Sequence, residues 1–154
     1  MIKLLALFLG TLTIAGAQAP VGKFTVDGKA VQLTQVYAYA TEGFFDKKKD
    51  DTVVLLTDRP VTEAQMRDGF ALRRLTGEGK LVFVQETINA AGQIVSFLMG
   101  HSAFKALPSG GSTDHVFEGR MEGGTVSGTV RTTSGQEFFG TKYEYNVKFQ
   151  ATIQ

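Results

Sequence analysis

The chain has 154 residues, 43% of them hydrophobic and 20% charged, with a formal net charge of +1. A chain of this size builds a single core, and so balanced a charge gives it no bulk attraction for nucleic acid or an anionic membrane. It contains no cysteine, which excludes disulfides, Cys-ligated zinc and thiol chemistry.

The first residues read as a secretory signal. Lys3 precedes an apolar run from Leu4 to Ile14, and the small-residue stretch Ala15-Gly16-Ala17-Gln18-Ala19 follows. The run is shorter than the ~20 residues a helix needs to cross a bilayer, so no membrane span is expected. Pro20 makes the bond after Ala19 a poor cleavage site, which moves the expected cut to Ala17. The domain plan is therefore a signal peptide over 1–17 and one β domain over 18–154, secreted or periplasmic, with no cysteine at the cut to take a lipid.

Glycine punctuates short runs of Val, Thr, Phe and Tyr along the rest of the chain, the composition of an all-β fold. Lys23–Val26 and Ala30–Ala40 predict a hairpin turning at Asp27-Gly28. In the second arm Val31, Leu33, Tyr37 and Tyr39 share one face by spacing, with Val36, Ala38 and Ala40 on the other. The charged run from Asp46 to Asp51, within Glu42–Asp51, predicts a solvent loop. Thr52–Thr57 carries four successive apolar residues and predicts a strand buried on both faces.

Thr62-x-x-Gln65 is a capping-box pattern opening one short helix, Glu63–Asp68, with an apolar stripe that extends to Leu75 if the helix crosses Gly69. Two further hairpins follow: Lys80–Ile88 with Gln93–Met99, and Thr113–Met121 with Thr125–Thr132. Gly100–Ser112 reads as a loop between them. Thr141–Ile153 alternates most clearly, with Tyr143, Tyr145, Val147, Phe149, Ala151 and Ile153 on one face and polar residues on the other. The predicted fold is an antiparallel β-sandwich, or a small barrel, of about eight strands with one short helix.

Chemistry is sparse. His115 shares a strand face with Phe117 and Met121, the setting of a core histidine with a satisfied hydrogen bond. His101 ends a strand and meets His115 only if their strands are neighbours. A metal site from His101, His115 and Asp114 or Glu118 would match no ligand spacing, and both acids fall on the face opposite His115. Ser109, Ser112, Asp114 and His115 lie close in sequence, yet no Gly-x-Ser-x-Gly elbow is present, and the composition is that of a turn-forming loop. Gly77-Glu78-Gly79-Lys80 reads as a turn and lacks the rest of a phosphate-binding loop.

Asp46, Asp50 and Asp51 are interleaved with three lysines, which oppose a calcium site. Tyr37, Tyr39, Tyr143 and Tyr145 lie on apolar faces and read as core residues rather than as a stacking platform. No catalytic residue, ligand-binding residue, metal or cofactor is assigned. The leading expectation is a non-catalytic exported module that binds another exported or envelope macromolecule or serves a structural role. A barrel carrying a small apolar ligand comes second, and a hydrolase using His101 and His115 third.

Overall fold

A computed structural model describes residues 18–154, so the expected signal peptide lies outside the described residues. Two antiparallel sheets pack face to face. The first sheet has the order β2-β1-β11-β9-β8, with β10 also on β11, and the second has the order β3-β4-β5-β6-β7. In chain order the elements are β1 (Gln18–Val26), β2 (Lys29–Gln32), β3 (Gln35–Thr41), β4 (Asp51–Thr57), α1 (Glu63–Met66), α2 (Gly69–Gly77) and β5 (Phe83–Ile88). They continue as β6 (Ile94–Gly100), β7 (Ser109–Gly110), β8 (His115–Glu122), β9 (Thr125–Thr132), β10 (Gln136–Phe138) and β11 (Thr141–Thr152).

The two-residue turns follow the sequence. Asp27 and Gly28 adopt φ of 46° and 78°, the left-handed pair that matches strand twist in a tight hairpin. Asp27 also ties the turn to β11, its N–H donating to the Lys142 carbonyl and its carboxylate accepting from the Lys142 N–H, both at 2.9 Å. The expected strand Ala30–Ala40, however, is two strands in different sheets. At Leu33 and Thr34 the chain crosses over: the Leu33 N–H donates to Gly22 of the first sheet and the Thr34 N–H to Thr57 of the second. Period-two spacing therefore fails across the crossing. Leu33 is buried between the sheets, whereas Tyr37 and Tyr39 lie on the far face of the second sheet, beside Leu55 and Met66.

Every residue of β4 is buried, because one face meets the first sheet and the other meets the helices. The single expected helix is two. Thr62 and Gln65 form the capping box of α1, and Asp68 then restarts the chain as the N-cap of α2 by accepting from the N–H groups of Phe70 and Ala71. This break turns Phe70 out to solvent, away from the apolar stripe predicted for it. The helices, Leu81 and Phe83 make a small second core with Leu55, Met66 and Leu72. The short strand β7 arises within Gly100–Ser112, read as a loop, and β10 in a segment for which the sequence predicts no element.

One side of the sandwich is closed and the other open. The chain end bridges β3, with Gln154 N–H donating to the Ala38 carbonyl and Ala40 N–H to the Gln154 carbonyl. On the opposite side, among the described residues, β8 pairs only with β9, and the outer edge of β6 is covered only by the two residues of β7. The architecture is a sandwich rather than a closed barrel.

Candidate functional site

The strand β5 sends Val84, Glu86 and Ile88 into the space between the sheets, so an acid stands where the pattern calls for an apolar residue. Glu86 is 0% exposed. Facing strands of the other sheet supply its partners, His115 from β8 and Tyr145 from β11, with Tyr143 of β11 bonded in turn to His115. The Tyr145 hydroxyl donates to Glu86 Oε1, and the His115 ring lies with Nδ1 at 3.1 Å from that oxygen and Nε2 at 2.9 Å from the Tyr143 hydroxyl. A carboxylate oxygen only accepts, so Nδ1 carries the proton; in the neutral ring Nε2 then accepts from Tyr143. Phe97 closes over the imidazole at 4.4 Å between ring centres.

Burial pushes the Glu86 carboxyl above its ordinary range, against the opposing pull of its bonds to His115 and Tyr145. Burial and the neighbouring acid likewise push the Tyr143 hydroxyl up to about 12 and raise Tyr145. Glu86 Oε2 has no hydrogen-bond partner among the described residues. An acid, a base and two hydroxyls in contact have the composition of a proton-transfer site, but the Glu86 and His115 side chains are both wholly enclosed. What the cluster does in this fold is join the sheets, since each of its hydrogen bonds from β5 reaches β8 or β11.

The structure places the other sequence candidates apart. His101 packs edge-on to Phe24 and Phe104, with Nδ1 accepting from the Ala103 N–H, while His115 packs on Phe97, Tyr143 and Tyr145. Burial lowers the His101 pKa, with Lys29 adding to the effect. Asp114 accepts from Thr133, and Glu118 pairs with Arg131; both acids are exposed on the side away from the His115 ring. Gly77 to Lys80 form the turn ending α2, with the Lys80 N–H donating to the Leu75 carbonyl. Tyr143 and Tyr145 are core residues, while Tyr37 and Tyr39 are half-buried and donate or accept one bond each to the segment leading through α1.

Two features went unread in the sequence. One is Glu86, whose signal is its inward parity between Val84 and Ile88. The other is the pair Phe44-Phe45 in the β3–β4 loop, 64% and 76% exposed and stacked edge to face at 4.8 Å. The loop is not slack: Asp51 accepts from the Phe44 N–H at 2.9 Å, and Gly43 is packed so closely on the Asp46 and Lys49 carbonyls that no Cβ would fit. Phe45 borders an open cleft of about 810 Å³ that continues between Ile94 and Val95 of β6 and Val116 and Phe117 of β8. Asp46, Lys49 and Asp51 line a smaller hollow next to Phe45, and among the described residues no three acids or histidines come together as a cation site.

No family model, curated protein or solved structure matches this chain.

Proposed function

We propose that this protein is an exported, non-catalytic β-sandwich module that recognises another exported or envelope macromolecule at the end of the sandwich formed by the β3–β4 loop. The observation that carries this reading is the pair Phe44 and Phe45, held in solvent by a braced loop at the mouth of the cleft. Exposed aromatic rings on a fixed backbone supply large contact area with little side-chain entropy to lose, which is the chemistry of an interface anchor. The groups capable of proton transfer are instead enclosed, and neither a carrier nor a hydrolase draws comparable support. The space a carrier would use is filled by Phe24, Phe97, Phe149, Tyr143 and Tyr145.

A photo-reactive phenylalanine analogue at position 45 of the full chain, irradiated in the cells that export it, tests the reading. We expect a discrete adduct with one macromolecule, lost on Phe44→Ala and absent when the analogue is placed at exposed Arg59, past the end of β4 opposite the loop. The same products from both positions, or none from position 45, would overturn it.

A further inference from the structure

The free edge of β8 carries a pattern that matches itself. We propose that two copies of this chain join there, edge to edge and antiparallel, about a two-fold axis through Gly119. In such a pairing Glu118 of one copy stands opposite Arg120 of the other, twice over, and Phe117 stands opposite Met121.

Three observations support this register. The first is the availability of the edge: among the described residues β8 has β9 on one side and no strand on the other, and Glu118, Gly119, Arg120 and Glu122 are exposed. The second is backbone parity. The turn at Gly123-Gly124 makes Glu122 and Thr125 a hydrogen-bonded pair, and bonding alternates from there along β8, so Glu122, Arg120, Glu118 and Val116 spend their backbone groups on β9. Met121, Gly119 and Phe117 therefore turn their N–H and C=O groups to the open side. A two-fold axis at Gly119 pairs those same residues: Gly119 with its own copy, and Phe117 with Met121.

The third observation is charge. Exposed charges on an edge strand normally blunt it against other strands. Here they alternate in sign about Gly119, so this register sets unlike charges opposite each other along the strand from Val116 to Glu122; an axis at Met121 would also set Arg120 against Glu122, but it runs the paired strands into the Gly123-Gly124 turn and leaves most of β8 unpaired. An axis at Arg120 would set Glu118 against Glu122. The opposite edge of the sheet, β2, is four residues long and carries only Lys29. An isologous contact of this kind closes after two copies and does not propagate. It would fuse two six-stranded sheets into one, and it leaves the β3–β4 loop outside the paired strands, so it stands or falls separately from the recognition reading.

Sedimentation equilibrium of the chain from residue 18 onward tests it. The wild type is expected at twice the chain mass. Arg120→Glu, which places like charges opposite each other at both symmetric pairs, should weaken association about tenfold or more. Because Glu118 also pairs with Arg131 of its own copy, the exchange Glu118→Arg with Arg120→Glu carries Arg131→Glu as well and should restore it, since both pairs survive inversion. Glu118 and Arg120 are exposed, so unfolding transitions of the variants serve as the folding control. Independently, Glu118→Cys with Arg120→Cys should oxidise to a covalent dimer, since opposed non-hydrogen-bonded positions lie about 4.5 Å apart at Cα, within disulfide reach. A monomeric wild type at its highest soluble concentration, a dimeric Arg120→Glu, or failure of the exchange to restore the dimer would each overturn the proposal.

Discussion

The two halves of β11 face the same interior and are held by different forces. Toward its end, Val147, Phe149 and Ala151 meet Val126, Val130 and Phe117 in an apolar contact. Toward its start, Tyr143 and Tyr145 reach across to His115 and Glu86 by hydrogen bonds. Dispersion and the hydrophobic effect have no titrating group, whereas a buried acid does. One half of the strand should therefore be indifferent to pH and the other sensitive to it, although both are equally buried.

Truncations at the two ends should cost the most and resemble each other at neutral pH. Phe149→Ala removes a buried ring and is expected to cost about 3–5 kcal/mol. Glu86→Ala leaves the His115 N–H and the Tyr145 hydroxyl enclosed without their shared acceptor, and about 1–3 kcal/mol for each unpaired donor is expected there. Denaturant unfolding at several pH values separates them: the cost of Phe149→Ala should hold steady, and that of Glu86→Ala should shrink as pH rises. A pH-independent cost at Glu86 would erase the distinction between the halves.

Smaller changes sharpen it. Tyr145→Phe keeps the ring and removes one donor to Glu86 Oε1, for an expected cost of about 1–2 kcal/mol in the same unfolding assay. Lys148→Ala, on the exposed face between Val147 and Phe149, should change stability by less than about 0.5 kcal/mol. A larger loss at Lys148 than at Phe149 would mean the strand is registered the other way round.

The sequence makes the faces of β11 legible because alternation reports burial directly, and it makes β4 legible because four apolar residues in a row need cover on both sides. The capping box of α1 and the turn at Asp27-Gly28 are legible for a similar reason, each being a local bond or dihedral requirement. Burial pattern is silent on what a buried polar atom meets. His115 is readable as a satisfied core histidine, but its partners come from β5 and β11, 29 and 28 residues away in sequence. Glu86 passes for a surface residue because half of any strand is polar. The crossing at Leu33-Thr34 is hidden since both flanking segments are β-rich and no glycine or proline marks the change of sheet. Phe44 and Phe45 lie in a segment whose charges alone announce a loop.

The central claim, that Glu86 is a buried clamp between the sheets whose carboxyl the fold holds above its ordinary range, has one direct test. A carboxyl raised in the folded state contributes stability that is fully present below its unfolded pKa, near 4, and lost as pH climbs toward its folded value, because the unfolded chain releases the proton first. Unfolding free energies of wild type and Glu86→Gln, measured side by side from pH 4 upward, isolate that one proton. The account predicts that wild type loses stability relative to the glutamine variant as pH rises; parallel curves would contradict it.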